Sequence, residues 1–412
     1  MVRHPDTPVT GRPAAVRRLV RWWLAPLPAP PAALRRGPMR PQAFRSALRS
    51  TRLTSQLGLA LGVAFGVCFL TGLLSHLIQH PPGWFWWPAR PVWLYRFTQG
   101  VHVATGLASV PLLGAKLWSV YPRLFTWPPA RSLAHAAERA GVGVLVAAAL
   151  FQLISGVLNI SRWYSPMPFF FTAGHYWVAW LAVGGLLVHI GVQLPVVGAA
   201  LARPTPEPRE EVLGRRGLLV GVGVAAGLIT LTTAGQTIRP LSGLAVLAPR
   251  HPGRGPQGLP VNKTANGAGV RAAALDPSYR LLVTGPDRHV SLDLTALTAL
   301  PQHSADLPIA CVEGWSATAS WSGVRLRDLV ALVGADPDRA TVTVESLQAA
   351  GRYRVSTVPP EHVRDPVTLV ALRLGAEPLH LDHGYPARLI APNRPGVLQT
   401  KWIGRITVHG SR

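Results

Sequence analysis

Four histidines lie within or at the ends of long apolar runs, where imidazole is costly and usually functional: His76, His102, His175 and His189. The first three fall near the same ends of their runs, so they would share one depth in a membrane. Two imidazoles from facing helices can ligate a haem iron and form a low-spin, electron-carrying centre. His189 follows His175 by 14 residues, about 21 Å along a helix. Hydrogen bonding within a helical bundle is the alternative role for all four.

The second chemical feature is the thiol of Cys311, one of only two cysteines in 412 residues. The other, Cys68, lies inside the first apolar run, whereas Cys311 lies in a polar stretch near the C-terminus. A disulfide between residues in a membrane and in water is not expected, since its Cα atoms must approach within about 7 Å. Cys311 therefore needs another explanation, and a buried structural thiol is the simplest that these facts alone allow.

The helices that would carry these histidines are predicted from hydrophobicity. A span of ~30 Å of hydrocarbon requires about 20 apolar residues, and the chain contains five such runs. We predict membrane helices near residues 57–79, 98–118, 138–160, 173–198 and 217–238. After Leu241 no run reaches that length. The sequence therefore predicts a membrane half followed by a half that lies in water.

The basic residues that give the formal net charge of +23 are distributed along the chain as in a membrane protein. Eleven arginines and one acid precede Leu53, and this basic tail comes directly before the first apolar run. Such a bias favours a cytoplasmic N-terminus, whereas a DNA-binding arm is the less favoured reading. The loops 119–137 and 199–216 contain further arginines and are expected inside. Loops 80–97 and 161–172 are then expected outside, together with the C-terminal half.

Arg215 and Arg216 open the fifth apolar run and resemble a twin-arginine export signal. Such a signal exports folded domains that already contain their cofactor. Two arginines that merely anchor the helix on the inner side are an equally good explanation.

The C-terminal half alternates strand-like segments with one helical segment. Strands are predicted near 280–285, 289–294, 307–312, 341–346, 352–358, 368–374, 387–392 and 405–408. Residues 324–333 have apolar positions at helical spacing. The fold class expected is a membrane all-α bundle of about five helices, followed by a mixed α+β domain.

The histidine pattern resembles the four-helix cytochrome b anchors of respiratory formate dehydrogenases and hydrogenases. In that family the fourth helix carries two haem histidines 14 residues apart, as do His175 and His189 here. The resemblance implies that His102 and His175 form the outer pair. It fails for the inner pair, because the first helix has no histidine at its cytoplasmic end and His76 lies at the other end. One haem b is therefore expected.

The segment LPIACVEGWSATASWSGVRLRDLV, residues 307–330, resembles the cofactor loop of the sulfite-oxidase-like molybdopterin family. It resembles in particular the branch that contains the periplasmic methionine sulfoxide reductase. The resemblance implies that Cys311 gives its sulfur to molybdenum, and soft thiolate suits such a metal. It also places Glu313 beside the metal, where the carboxyl group would relay protons or restrict access.

The closing segment DHGYPARLIAPNRPGVLQTKWIGRITV resembles the part of that family that holds the pterin phosphate through backbone groups and a lysine, here Lys401. Arg388 is a further phosphate candidate or a structural ion-pair partner. LPVNKTA, residues 259–265, matches a segment where the family has an asparagine near the cofactor, which implies Asn262 with Lys263. Two of the three lysines in this arginine-rich chain thus fall in cofactor segments.

The expected activity is oxygen-atom transfer that reduces an S- or N-oxide outside the membrane, coupled through haem b to quinone. Typical sulfite oxidases have C-A-G-N-R after the ligand cysteine, whereas this chain has Val312-Glu313-Gly314-Trp315. Sulfite dehydrogenase-type oxidation is the first alternative. It would need a cationic pocket, and no arginine lies within ten residues of Cys311. A cofactor-free membrane-anchored binding domain is the second.

Four segments are expected from this reasoning: a basic cytoplasmic tail 1–52, a cytochrome b-like membrane domain 53–200, a linker with the fifth helix 201–240, and an exported molybdopterin domain 241–412. The expected partners are the lipid bilayer, the quinone pool or another membrane electron carrier, and an oxide substrate; nucleic acid is not expected. The expected location is a bacterial plasma membrane, with the N-terminus cytoplasmic and the C-terminal domain outside.

Overall fold

The computed structural model describes residues 14–25, 46, 48–125, 129–202 and 214–410. Most of the basic tail lies outside these ranges, as do Arg203 and Arg209 of the fourth loop. The described part of the tail contains a short helix, α1 (Ala14–Leu24), that the charge pattern did not predict. Its arginines interrupt an otherwise apolar sequence, AAVRRLVRWWL.

The five predicted apolar runs are all helices. They are α2 (Thr51–Gln79), α3 (Leu94–Val120), α4 (Leu133–Ser161), α5 (Phe171–Ala202) and α6 (Arg215–Ala234). Each is long and apolar enough to cross a membrane by length and composition. They extend beyond the predicted runs at most ends, because polar residues such as Arg52 continue a helix as readily as apolar ones. A 3₁₀ turn, Tyr121–Phe125, follows α3.

The chain forms two compact units. The first comprises residues 1–62, 110–155 and 169–224, and the second residues 63–109, 156–168 and 225–412. In the first unit, Leu53 and Leu57 of α2 pack with Val222 of α6. Lys116 of α3 donates to the Thr54 carbonyl over 2.7 Å, which satisfies an ammonium in otherwise apolar surroundings.

The second unit contains two five-stranded sheets, as the mixed α+β prediction requires. The strands are β1 (Leu281–Thr284), β2 (His289–Leu292), β3 (His303–Ala310), β4 (Ser316–Arg325), β5 (Thr341–Ser346), β6 (Val355–Val358), β7 (Leu369–Leu374), β8 (Glu377–Pro378), β9 (Arg388–Ile390) and β10 (Ile403–His409). The short helices are α7 (Arg271–Leu275), α8 (Leu294–Ala299), α9 (Leu326–Leu332) and α10 (Pro360–Val363).

The first sheet has the order β2-β1-β10-β5-β6, with β1 parallel to β10 and the other pairs antiparallel. Alternate side chains of β5 are buried, as a strand with one covered face requires. They join Leu326, Leu329 and Val330 of α9 in the larger hydrophobic core. Each fully buried leucine contributes roughly 1.5–3 kcal/mol.

The second sheet has the order β3-β4-β7-β8, and β9 also pairs with β7. β4 was not predicted as a strand, because its sequence SATASWSGVR is mostly small and polar. It forms because it pairs with β3 on one side and β7 on the other. β7 is almost wholly buried, in agreement with its continuous apolar sequence. This sheet positions Cys311, which follows β3 directly.

The α2–α3 loop packs on the sheet domain within the second unit. Asn393 receives a hydrogen bond from the Tyr95 backbone N–H at 2.6 Å, and its own amide donates to the Pro88 carbonyl at 2.7 Å. Arg90 forms a two-pronged ion pair with Asp365, at 2.8 and 3.0 Å. These contacts agree with the prediction that the loop and the C-terminal half share one side of a membrane, and their orientation stays a prediction.

Candidate active site around Cys311

Cys311 begins a tight turn at the end of β3. Its backbone N–H donates to the Trp315 carbonyl at 2.9 Å, and its carbonyl accepts from Gly314 at 3.0 Å. The turn needs glycine at position 314, where φ is +87°. The side chain of Cys311 is 2% exposed. The turn thus holds one thiol at the edge of a sheet, in a fixed orientation.

Three elements outside the sheets hold this turn. Asn159 at the end of α4 donates to the Val312 carbonyl at 3.0 Å. Gln236, which follows α6, donates to the Gly314 carbonyl at 3.3 Å. A Cβ atom at Gly314 would lie 3.2 Å from Val103 of α3, so helix and turn are in close contact. The ends of three apolar helices therefore help to shape the candidate site.

Glu313 is the second predicted site residue, and it lies between two arginines. Arg162 Nε is 3.5 Å from Oε1, and Arg250 Nε is 4.0 Å from Oε2. The Trp315 indole donates to Oε2 at 3.1 Å. The sequence has no arginine within ten residues of Cys311, but the fold brings Arg162 and Arg250 next to this turn from distant segments. Sequence separation says nothing about such contacts.

Burial dominates the electrostatics of this turn. Burial, reinforced by Glu313, raises the pKa of the Cys311 thiol. Burial also raises the pKa of Glu313, against the opposing effects of Trp315, Arg162 and Arg250. The pKa of Tyr164 is raised to about 12 by burial and then by Glu313. By itself this thiol stays protonated, so a thiolate here needs a bound metal ion to stabilise its charge.

The two lysines predicted at the cofactor lie together. Lys401 donates to the Lys263 carbonyl at 2.5 Å and to the Asp382 carbonyl at 2.9 Å. Lys263 donates through its own ammonium to Gln348 at 2.6 Å. Burial, followed by Arg388, lowers the pKa of Lys401 well below its ordinary value. Asn262 lies at the same place, where its carbonyl accepts from Arg162 at 3.0 Å.

Arg388 lies next to this lysine cluster. Its guanidinium donates to the His383 carbonyl at 3.1 Å and stacks over Trp321, 5.3 Å from the ring centroid. Gly384, at φ +114°, separates the two basic residues: a Cβ there would lie 3.1 Å from the Cβ atoms of both Arg388 and Lys401. Burial lowers the pKa of Arg388 to about 9. The Nε atom of Arg388 is buried and has no hydrogen-bond partner among the described residues.

These residues fit a molybdopterin group. Cys311 offers one soft ligand, and the buried Arg388, with Lys401 and the exposed Lys263 beside it, gathers positive charge that an anion such as a phosphate would stabilise. The Arg388 Nε is a donor of the kind that such an anion accepts from. The carboxylate of Asp382 accepts a hydrogen bond from the Ala265 backbone N–H at 2.7 Å, and this bond fixes the 262–265 segment beside Lys401.

The helix histidines are placed as follows. His102 Nδ1 lies 2.8 Å from the Cys68 carbonyl oxygen, and its ring packs on Gly72, where a Cβ would approach within 2.7 Å. In the other unit, His175 Nδ1 lies 3.0 Å from Ser155 Oγ. His76 stacks on His80, with ring centroids 4.7 Å apart. His189 lies half-buried on α5.

Sequence reasoning missed Asn159, Arg162, Tyr164, Gln236 and Arg250. Each is far along the chain from Cys311, and none belongs to a motif. The only signal was the charge pattern, which predicts that loop 161–172 lies on the same side of a membrane as the C-terminal half. Tyr164 donates to Asn159 Oδ1 at 3.0 Å, so these two residues are directly linked.

Comparison with protein families identifies the sheet domain. Residues 268–412 match the oxidoreductase molybdopterin binding domain. The chain is 30% identical over 154 residues to mitochondrial sulfite oxidase of Drosophila melanogaster, which covers 32% of this chain and 27% of that protein. It thus spans less than a third of the length of this relative.

Two bacterial relatives concern methionine sulfoxide. The chain is 27% identical over 236 residues to the protein-methionine-sulfoxide reductase catalytic subunit MsrP of Gluconobacter oxydans, covering 50% of this chain and 73% of that protein. It is 35% identical over 136 residues to the putative protein-methionine-sulfoxide reductase subunit YedZ1 of Azospira oryzae, covering 32% of this chain and 50% of that protein. Residues 268–412 therefore match a molybdopterin-binding oxidoreductase domain, and in this part the chain is similar to sulfite oxidases and to methionine sulfoxide reductases.

Proposed function

We propose that the chain is a membrane-anchored molybdopterin oxidoreductase that reduces an S- or N-oxide outside the membrane. Electrons would come from the quinone pool, or another membrane carrier, through one haem b. The observation that carries this proposal is the Cys311 turn, where a buried thiol, a carboxyl group and two arginines meet the ends of three apolar helices. Reduction of a sulfoxide consumes two electrons and two protons and yields a sulfide and water.

Molybdopterin, when bound, would supply the two-electron oxygen-atom transfer. In this proposal Cys311 is the protein ligand of molybdenum, while Lys401, Lys263, Asn262 and Arg388 hold the pterin and its phosphate. Gly384 lies between Arg388 and Lys401 and leaves room for both of them, because it has no side chain. Glu313, which accepts a hydrogen bond from the Trp315 indole, would take up and release a proton at its carboxyl group.

The haem ligands proposed are His102 and His175. The Nδ1 atom of each lies within hydrogen-bond distance of an oxygen in its own unit, the kind of partner that orients a metal-binding imidazole. His102 also precedes Val103, the residue in contact with Gly314 of the cofactor turn. His76 and His189 remain the secondary candidates.

The cellular arrangement is also a proposal. The N-terminus would lie in the cytoplasm of a bacterium, and the sheet domain on the outer side of the plasma membrane. The four segments 1–52, 53–200, 201–240 and 241–412 would be the functional divisions. α6 begins at Arg215, so the Arg215–Arg216 pair forms its first turn. That position suits either an export signal or a simple anchor.

Sulfite oxidation is a second candidate, because Arg162 and Arg250 supply the positive charge that an oxyanion requires. A cofactor-free binding domain is the third. Against it, Cys311 and Lys401 are present, and the buried positive charge around Lys401 would be unfavourable without an anion.

The activities can be separated with the purified protein in detergent. We expect reduced benzyl viologen to be oxidised when methionine sulfoxide, dimethyl sulfoxide or trimethylamine N-oxide is added. Sulfite-dependent reduction of ferricyanide without any oxide reduction would instead favour the sulfite-oxidising alternative. For the haem, His175→Ala should remove a reducible b-type absorption band, whereas an unchanged spectrum would exclude His175 as a ligand.

A further inference from the structure

Arg162 is held beside the cofactor turn by a connected set of contacts. It directly follows α4 and has φ +60°, a left-handed conformation that non-glycine residues adopt only when their surroundings impose it. Asn159 fixes this loop at both ends, because it donates to the Val312 carbonyl and accepts from the Tyr164 hydroxyl, each at 3.0 Å. Arg162 also donates to the Asn262 carbonyl at 3.0 Å. The structure therefore holds this guanidinium group in one place.

Arg250 approaches the same carboxyl group from the linker after α6. Its Nε lies 4.0 Å from Glu313 Oε2. Its Nη2 atom is buried and has no hydrogen-bond partner in the described part of the chain. Two arginines thus share one carboxylate, which leaves one positive charge and one buried donor uncompensated. Such a donor is costly unless a ligand accepts from it.

Exposure decreases from solvent toward the turn. The side chain of Arg162 is 39% exposed, that of Arg250 19% and that of Glu313 9%. Tyr164, beside Arg162, is 42% exposed. The two guanidinium groups are thus more accessible to a small molecule from solvent than the Glu313 carboxyl group is.

We propose that Arg162 and Arg250 bind the anionic group of a small acidic substrate and so select for acidic S- or N-oxides. The inference rests on the proposed function for the chemistry, but not for the binding step. Guanidinium groups suit a carboxylate because they can donate two parallel hydrogen bonds. Sulfite is also an anion, and the experiment distinguishes an acidic oxide from sulfite as the ligand of the two arginines.

The test uses the full-length, molybdenum-loaded protein in detergent and two sulfones that cannot be turned over as oxides are. Calorimetry would compare methylsulfonylacetate with the uncharged dimethyl sulfone. We expect tighter binding of the acid, and roughly a 10-fold or greater loss of that affinity in Arg162→Gln and Arg250→Gln, the size typical for a lost charged hydrogen bond. Arg254→Gln is the matched control, since Arg254 is exposed in the same linker and forms no ion pair with the residues that the structure describes.

Turnover provides the second readout. With reduced benzyl viologen, both arginine variants should raise KM for methylsulfinylacetate by a larger factor than they raise KM for dimethyl sulfoxide. Arg162→Lys should recover part of the affinity, which separates lost charge from a misfolded loop. If the protein instead oxidises sulfite, and the same arginine variants weaken that activity, the two arginines would still form an anion site and sulfite would be its ligand.

Equal affinity for the two sulfones in the unaltered protein would overturn the proposal, as would unchanged affinity in both variants. Absence of turnover with every oxide and with sulfite would contradict the proposed function alone. The binding comparison would still decide the role of the two arginines.

Discussion

At the residue scale, the candidate site is a small number of buried polar groups whose surroundings determine their charge. The Cys311 thiol has a raised pKa because it is buried, so its role as a metal ligand depends on a metal that offsets that cost. Arg388 and Lys401 have lowered pKa values for the same reason. The sequence predicted these residues through their motifs, but the motifs contained no information about Arg162 or Arg250.

Gly384 tests the basic cluster. In Gly384→Ala the new Cβ would crowd Arg388 and Lys401, and φ +114° would be strained at a cost of about 1–3 kcal/mol. We expect a lower molybdenum content per folded chain, measured by elemental analysis. Gly375→Ala is the control, because Gly375 also has a positive φ, +62°, but a Cβ there meets no atom within 4 Å. Equal molybdenum content in the two variants would contradict the role given to the cluster.

His362 predicts a pH dependence of stability. Burial, together with Arg394, lowers its pKa from 6.5 to about 3, so the folded domain binds this proton less readily than the unfolded chain. The contribution of neutral, buried His362 to the free energy of unfolding is fully present above about pH 6.5. It is lost as the pH falls toward 3, by an amount on the order of a few kcal/mol. Hydrogen exchange in β5 and β10, corrected for intrinsic rates, should therefore show less protection at pH 5 than at pH 7.

His362→Gln should reduce this difference between pH 7 and pH 5, whereas His380→Gln should not. His380 is the suitable control because its side chain is 45% exposed. An undiminished pH dependence in His362→Gln would assign the effect to other groups.

At the element scale, the helices and most strands follow from the sequence, since hydrophobic length and alternation determine them locally. β4 does not, because its small polar residues become a strand only through pairing with β3 and β7. The contacts of α3, α4 and the segment after α6 with the Cys311 turn were likewise not predictable, since they join positions more than 70 residues apart. Tertiary contacts of this kind leave no periodic pattern in a sequence.

Asn159 tests the link between α4 and the turn. Asn159→Ala removes the donor to the Val312 carbonyl and should cost about 1 kcal/mol locally, because a partly buried acceptor loses its protein partner. We expect faster hydrogen exchange in residues 311–315, measured by mass spectrometry. Ser161→Ala is the control at the same helix end, where the hydroxyl bonds only the Leu158 carbonyl of its own helix. Identical exchange in both variants would show that the turn does not depend on α4.

At the scale of the whole molecule, the charge pattern predicts which loops share a side of the membrane. The contacts of the α2–α3 loop with the sheet domain agree with that pattern, whereas the side of the cell stays a proposal. The sequence predicted the order of the parts because charge and hydrophobicity are distributed along the chain. It could not predict that helix ends would form part of the candidate active site.

The orientation is tested with two single cysteines at exposed positions. Trp84 is 76% exposed in the α2–α3 loop, and Leu124 is 65% exposed after α3. In intact cells a membrane-impermeant maleimide should label Trp84→Cys but not Leu124→Cys, and both should react after lysis. The reverse pattern would place the sheet domain in the cytoplasm.

The most direct test of the account is the molybdenum content of the purified chain, beside that of a Cys311→Ser variant. Serine preserves the size of the side chain but replaces the soft sulfur ligand with oxygen. From a host that makes the cofactor, we predict about one molybdenum per chain in the unaltered protein and a large loss in the variant, with the fold retained. Full occupancy in Cys311→Ser, or no molybdenum in either protein, would contradict the assignment of Cys311 as the metal ligand.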